Sequence, residues 1–280
     1  CGDEAAWWRD LDVTASNLTV GAGAESGVYF AGVRGSVEGV DASAHDGPGA
    51  SMHLQDIDNG LRLVDLTLVA GQGTAALTGG PNRALNLEDV HISGAPGLDV
   101  DDSSGMLQNL VFDGPGTGTA FIAHHGRSTS LEVHGLNISG YALGLDAHAD
   151  SNEDPAPLRV QGATVQADVA LAADGHPVDL HDAVLTGSVQ IADATVKAVG
   201  GSLDLDQATV LGDGVLERWT VQRFVAERTG IPSDGRWSVT PSLPDVLTQV
   251  AEGQGAAVDL ALLVGVVDAT ASQTTDQATV

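Results

Sequence analysis

The chain has 280 residues, enough for one repeat domain with capping segments, and its formal net charge is -27. Such a surface repels nucleic-acid phosphates and anionic lipid headgroups, so a nucleic-acid-binding protein is excluded. No stretch reaches the ~18 consecutive apolar residues of a membrane-spanning helix. Glycine is frequent, with 36 residues, and aromatic residues make up only 4%, a composition that favours narrow coils over a bulky core.

The first residue, Cys1, is the only cysteine and therefore cannot form an intramolecular disulfide. Cys1 followed by Gly2 and a short polar lead resembles a mature bacterial lipoprotein, although a stray residue unrelated to processing is the alternative. The resemblance implies lipidation of Cys1 and, since Gly2 rather than Asp follows, export to the outer membrane. Several acyl chains would anchor the protein firmly. We expect residues 1–12 to form a lipidated lead and a cap, with Trp7 and Trp8 covering the open end of the repeat domain.

From Val13 a degenerate repeat returns about every 20–27 residues, a period typical of repeat architectures. Its clearest copies are residues 85–94 and 131–140. When the first residue is counted as zero, positions two, five and seven are mostly apolar. Position four is Asn, Asp, Gly or Gln, and position nine is only Ala or Gly. Weaker copies begin at Val13, Gly35, Leu61, Gly105, Leu158, Val178 and Leu203.

Each repeat predicts a short strand, a bend at position four where a left-handed backbone is tolerated, and a second strand. Stacked copies would pair in parallel and bury continuous apolar ladders. This pattern resembles the right-handed parallel β-helix, the pectate-lyase-like solenoid. We therefore predict an all-β fold, a β-solenoid of about nine coils over residues 13–229. A β-sandwich also has short strands and glycine turns, but it does not repeat one consensus.

The third strand of each coil carries candidate site residues. We aligned these strands on their last apolar residue, which is Val100, Ile122, Leu145, Leu171 or Ile191. The alignment places Asp102 near His124, and His125 near His148 and Asp174. Carboxylates and imidazoles this close would suit a divalent cation or act as acid and base. The alternative is a set of solvated corner residues, which are routine on solenoids. We expect no cofactor to be required.

Residues 230–280 are expected to form a C-terminal cap, a docking segment and a tail. The stretch from Ala256 to Val267 has one charged residue, Asp259, and is too short to span a bilayer. Such a stretch should cover an open end of the solenoid or a partner surface. The residues expected to dock on a partner are Val258, Leu260, Leu262, Leu263 and Val264.

The resembling β-helix family includes polysaccharide lyases and hydrolases, adhesins and inert scaffolds, so the fold does not fix the function. Only Asp101-Asp102 and the His-Gly pairs at His125 and His134 match the hydrolase motifs, and two-residue matches are weak. We expect a non-catalytic, lipid-anchored envelope scaffold that docks on an envelope protein and meets the membrane through its anchor alone. One alternative is a carbohydrate-active or polysaccharide-binding protein that uses the Asp/His stack. A self-assembling filament or array subunit is the other.

Overall fold

The repeat folds into coils of short strands, as the computed structural model of the chain shows. It describes residues 4–22, 26–57, 60–124, 130–149, 156–192, 194, 196–205, 208–210, 214–224, 236–241 and 267–270; for residues 4–7, 191, 192 and all those after 196, it describes the backbone alone. The described residues form strands and no helix, so none of them provides a helical membrane span.

The structure contains nineteen strands in its described residues. Their bounds are β1 (Glu4–Arg9), β2 (Asp12–Thr19), β3 (Ser26–Ala31), β4 (Arg34–Asp41), β5 (Met52–Gln55), β6 (Leu61–Val69), β7 (Leu77–Gly79), β8 (Leu85–Ser93), β9 (Leu98–Asp101), β10 (Gly105–Asp113), β11 (Thr119–His124), β12 (Leu131–His148), β13 (Leu158–Asp174), β14 (Val178–Ala192), β15 (Val196–Leu205), β16 (Ala208–Val210), β17 (Gly214–Phe224), β18 (Arg236–Pro241) and β19 (Val267–Thr270).

Strands that begin successive coils pair in parallel and in the predicted register. For example, Leu87 of β8 pairs with Leu107 of β10, which pairs with Val133 of β12. From the second copy to the eighth, residues at positions two, five and seven are buried and belong to one continuous core. The parallel β-solenoid is therefore confirmed, and the mainly antiparallel pairing of a β-sandwich is excluded for these coils.

Position four is a left-handed bend in every one of the first eight copies, as predicted. The residues there have φ between 51° and 73°: Asn17, Gly39, Asp65, Asp89, Asn109, Gly135, Gly162 and Asp182. The bend changes which alternate residues face inward, because positions zero and two point into the tube before it and positions five and seven do so after it. Each of the long strands therefore crosses two faces of the solenoid.

The small residues at position nine stack closely at the next corner. A Cβ atom on Gly94 would lie 2.8 Å from the Cβ of Ala70, and one on Gly114 would lie 2.1 Å from the carbonyl oxygen of Gly140. Real Cβ atoms do not approach so closely, because packing in protein interiors is already dense. The restriction of position nine to Ala and Gly thus has a steric cause.

A third set of strands completes each coil, and we call it the third sheet. It contains β3, β5, β7, β9, β11, the C-terminal parts of β12, β13 and β14, and β16. Its inward residues, such as Phe30, Leu54, Val100 and Phe121, are fully buried. Phe121 also stacks on Phe112 of β10, with ring centroids 6.3 Å apart, so the core is continuous between the sheets.

One polar side chain, Asn82, lies fully buried at the corner after the third sheet. Its Oδ1 accepts a hydrogen bond from the backbone N–H of Ile57 at 3.0 Å. Its Nδ2 donates to the carbonyl oxygen of Leu54 at 3.4 Å and to Oγ of Ser103 at 3.3 Å. Asn82 therefore links the coil before it to the coil after it, and its buried amide is satisfied.

The N-terminal end of the stack contains β1, which pairs in parallel with β3. The Trp8 ring packs edge-on against Phe30, with centroids 5.3 Å apart, and Trp8 is partly buried against the core. This contact agrees with the expected covering role of Trp8. Because β1 pairs as a solenoid strand, the described stack includes residues N-terminal to residue 13, from Glu4 onward.

The coil count and the ninth copy differ from the prediction. The solenoid has about seven turns rather than nine, and Val196 of β15, not Leu203, pairs with Val178. Leu203 instead pairs with Leu185, which occupies position seven of its copy. The Leu-Asp-Leu sequence from Leu203 resembles the start of a repeat, but the coil before it is short. The backbone stack continues through β17 to β18, which β19 joins in antiparallel fashion.

Candidate functional site

Several tyrosine, histidine and carboxylate side chains lie on the outer surface of the third sheet, which we call the third-sheet face. Strand alternation turns every second residue outward, and parallel pairing sets these residues in columns. One column contains Tyr29, His53, Thr78, Asp99, Ile122 and Asp146. Two residues further along each strand, a second column contains Asp101, His124 and His148.

His124 and His148 are the closest pair of imidazoles on this face. They are in register on β11 and β12, and their ring centroids lie 3.8 Å apart with an interplanar angle of 76°. Their side chains are 40% and 35% exposed. The edge-on contact therefore forms at the surface, where an ion or a ligand can reach both rings.

Carboxylates flank this pair of rings on both sides. Oδ1 of Asp146 lies 3.3 Å from Nδ1 of His148 and forms a hydrogen bond with it. Oδ1 of Asp99 lies 3.7 Å from Nε2 of His124, which is an ion-pair distance beyond hydrogen-bonding range. Carboxylates and imidazoles therefore lie side by side on neighbouring strands of this face.

Asp101 adds a third carboxylate on the strand before His124. Partial burial raises the pKa of Asp101, and the nearby carboxylate of Asp102 raises it further. The imidazole of His124 lowers this pKa, whereas Asp99 raises it. Burial makes the largest contribution and the neighbouring carboxylates add to it, so a positive charge nearby would lower the pKa of Asp101 again.

The sequence alignment of this region was wrong on three of its five strands. Relative to Val100 it was wrong by one residue at Ile122 and by two at Leu145 and Leu171, because the inward column runs through Ala123, Ala147 and Ala173. Ala123, not Ile122, pairs with Val100 and Ala147 in the inward column, so Asp101 rather than Asp102 is in register with His124. Asp102 lies at the following corner with φ of 43°, and its N–H donates to the carbonyl oxygen of His124 at 2.9 Å. Strand alternation places the small Ala123 inward and leaves Ile122 partly exposed.

Asp174 keeps its place in the predicted stack. It follows Ala173, which pairs with Ala147, so it occupies the rung after His148 and is exposed. His125 lies outside the described residues, as do Cys1 and the expected docking residues Val258, Leu260, Leu262, Leu263 and Val264. Of the five residues predicted for the metal or ligand site, the structure brings His124 and His148 into direct contact.

An aromatic platform lies at the N-terminal part of the same face. The Tyr29 and His53 rings stack with centroids 4.8 Å apart and an interplanar angle of 12°. Nδ1 of His53 lies 2.5 Å from Oγ1 of Thr78, and the Tyr29 hydroxyl donates to the side chain of Gln55. Burial lowers the pKa of His53, since the charged imidazolium loses hydration in this contact.

The sequence prediction missed Tyr29, His53, Asp99 and Asp146 as site residues. Each occupies the outward position of a third-sheet strand, and the signal that could have identified them is the alternation within those strands. The third strands are short, and their spacing from the preceding corner varies between coils. A consensus derived from the first two strands therefore did not extend to them.

The side chains on this face can exchange protons and can supply nitrogen or oxygen ligands. In the described part of the chain, however, no group of three or more His, Cys, Asp or Glu residues surrounds a common point suitable for a metal ion. Comparisons with protein-family models, curated proteins and solved structures found no match to this chain. The function must therefore be argued from the solenoid and this face.

Proposed function

We propose that the protein is a non-catalytic scaffold of the bacterial cell envelope, anchored by lipid at the outer membrane and docked on an envelope protein. The observation that carries this proposal is the use of arginines as links between coils. Arg34 pairs with Asp12, Arg62 with Glu88, and Arg159 with Glu132 at 3.1 Å. In each case the carboxylate lies on a neighbouring coil. A polysaccharide lyase would need such a base in its substrate groove, whereas each of these arginines is paired with a carboxylate of a neighbouring coil.

The anchor is proposed from Cys1 and its surroundings. If Cys1 carries lipid, only Gly2 and Asp3 separate it from β1, which is already paired with β3. The solenoid would then sit directly on the bilayer surface with almost no tether. A short tether suits a rigid spacer whose side faces stay at a fixed distance from the membrane. It suits less well a binding module that needs a flexible linker to reach its ligand.

The experiment that tests this function expresses the precursor in a bacterial host with Cys1 or with Cys1→Ser. We expect acyl mass and detergent-phase partitioning for the first form only, measured by intact mass spectrometry and phase separation. A second comparison truncates the chain after Gly230. Loss of co-purifying envelope proteins with a retained β circular-dichroism spectrum supports docking by the C-terminal segment.

Two outcomes would overturn the scaffold. Equal detergent-phase partitioning of the two forms would show that Cys1 does not carry a lipid anchor. Unfolding of the truncated chain, while the full-length protein is a stable monomer, would make the C-terminal segment an end cap only. Ordered polymers of the full-length chain that disappear on truncation would instead favour the self-assembling subunit.

Polysaccharide binding is the second candidate function, and the Tyr29–His53 platform is the observation that favours it. A flat aromatic surface beside Thr78 and the Asp99 carboxylate offers an apolar face with polar groups at its edge, as ligand sites commonly do. Tyr29→Ala should then weaken retention on an immobilised neutral glycan, whereas Val111→Ala, an exposed change on another face, should not. Equal retention of both variants would argue against a glycan at this platform.

A further inference from the structure

We infer that His124 and His148 together bind one divalent transition-metal ion, such as Zn²⁺ or Ni²⁺, on the third-sheet face. The two residues are in register on adjacent parallel strands, and their rings are 3.8 Å apart between centroids. Zn²⁺ binds imidazole nitrogen at about 2.0–2.1 Å, so one ion can bind a nitrogen of each ring once the edge-on pair opens and both nitrogens face it. The inference is independent of the scaffold function, because an anchored spacer needs no metal.

A carboxylate lies beside each of the two rings, and the one beside His148 forms a hydrogen bond with it. Asp146 holds Nδ1 of His148 at 3.3 Å, and Asp99 faces Nε2 of His124 at 3.7 Å. The other nitrogen of each ring is left for a ligand. Histidines that bind metals commonly direct their second nitrogen to a carboxylate, which fixes the tautomer and the ring orientation.

In the described residues no group of three or more metal ligands surrounds one point, so the proposed site has two protein ligands. The carboxylates of Asp99 and Asp146 each face a ring, and the two imidazoles are the direct ligands. Water molecules would complete the coordination of the ion. Two nitrogen ligands select a transition metal over Ca²⁺ or Mg²⁺, which prefer oxygen.

A matched control lies elsewhere on the solenoid. Nε2 of His91 lies 2.8 Å from Oδ2 of Asp113, and its side chain is 50% exposed. Its partners in register are Thr67 and Val111, so it offers a carboxylate-oriented imidazole without a second imidazole beside it. His91→Ala therefore removes a histidine of similar exposure while leaving the proposed site intact.

The test uses the full chain without a polyhistidine tag and with Cys1→Ser, because a free thiolate would itself bind Zn²⁺. ZnCl₂ or NiCl₂ is titrated by calorimetry, and the melting temperature is followed in parallel. We expect one ion per chain, a rise in melting temperature from binding to the folded state, and at least a tenfold weaker Kd in His124→Ala and in His148→Ala. The His91→Ala chain should bind as tightly as its parent, and CaCl₂ at equal ionic strength should not reproduce the effect.

Equal affinity of the parent and the His124→Ala, His148→Ala double variant would overturn the site. An equal thermal shift with CaCl₂ would show screening of the -27 charge instead. Circular dichroism establishes that each variant is folded. A second measurement needs no variant: the electron paramagnetic resonance spectrum of one equivalent of Cu²⁺ should show coupling to two imidazole nitrogens, and coupling to one or none would contradict the inference.

Discussion

The hydroxyl of Tyr141 donates a hydrogen bond to the carbonyl oxygen of Gly94, 47 residues earlier, with 2.6 Å between the two oxygens. The intervening coil passes Gly114 beneath the tyrosine ring, where a Cβ atom would lie 2.5 Å from Cδ2. Coils of a solenoid generally contact only their immediate neighbours. The phenol therefore connects two coils that would otherwise interact only through the one between them.

We expect Tyr141→Phe to lower the free energy of unfolding by about 1–3 kcal/mol at neutral pH, because the Gly94 carbonyl loses its partner. Burial, and to a lesser degree the Asp113 carboxylate, raises the pKa of Tyr141 from 10.0 to about 12. The folded state thus holds the phenolic proton more tightly than the unfolded state. Its stabilisation is complete below about pH 10 and is lost as the pH rises toward 12.

Urea unfolding between pH 7 and pH 11 checks this prediction. The parent chain should lose stability more steeply above pH 10 than Tyr141→Phe. Tyr29→Phe, which changes a partly exposed tyrosine, should keep the steep loss. Identical slopes for the parent and Tyr141→Phe would contradict a pKa shift at this residue.

The inward register predicts that Ile138→Asp abolishes the folded state. Ile138 is fully buried and pairs in register with Phe112, so the substitution would bury a carboxylate without a partner. The matched change Val111→Asp alters the outward residue beside Phe112, which is 37% exposed, and should leave a cooperative melt. Both are measured by circular dichroism, and a normal melt for Ile138→Asp would refute the register.

The bends at position four predict a graded series at Asp65, whose φ is 58°. Asp65→Val should cost about 1–2 kcal/mol, because a left-handed backbone crowds a Cβ atom against the following carbonyl and a branched side chain lacks the compensating local hydrogen bonds of Asp or Asn. Asp65→Asn and Asp65→Gly should remain close to the parent chain. Thermal or urea unfolding measures the order, and equal stability of the Val and Gly variants would contradict the prediction.

The sequence was sufficient for features that every coil needs. Position four must bend, and the structure has a left-handed residue there from Asn17 to Asp182. Position nine must be small, since Gly94 and Gly114 leave no space for a side chain. These constraints act on local backbone geometry and on contacts between equivalent residues, so they recur in the sequence wherever a coil recurs.

The sequence was insufficient where coils differ in length or where a small residue takes an inward position. The coil that begins at Val178 is short, so Leu203 aligns with position seven of the repeat and not with the predicted position zero. Ala123 is fully buried while its larger neighbour Ile122 is partly exposed, because the pairing of β11 with β9 places Ala123 beside the inward Val100. Hydrophobicity alone favours Ile122 as the inward residue, and only the pairing of neighbouring strands corrects it.

The ion pairs of Arg159 are expected to stabilise the folded state slightly, by an amount that depends on the salt concentration. Its guanidinium lies 3.1 Å from Glu132 on one neighbouring coil and 4.0 Å from Asp179 on the other. Arg159→Gln should lower stability by less than about 1 kcal/mol at low ionic strength, as for other exposed ion pairs. The difference should vanish in 1 M NaCl, where the Debye length is about 3 Å. A loss that is unchanged by salt would point to packing of the arginine stem instead.

The buried amide of Asn82 affects which register neighbouring strands adopt during folding. A strand that slides by two residues against its neighbour still presents apolar side chains inward, because alternation returns after two steps. The aliphatic ladders therefore discriminate weakly against such an error. Asn82 disfavours a shifted register strongly. A shift would separate its amide from Leu54, Ile57 and Ser103 and leave the amide buried without hydrogen-bond partners. A single polar residue thus selects the correct register among strand alignments that would bury the aliphatic residues equally well.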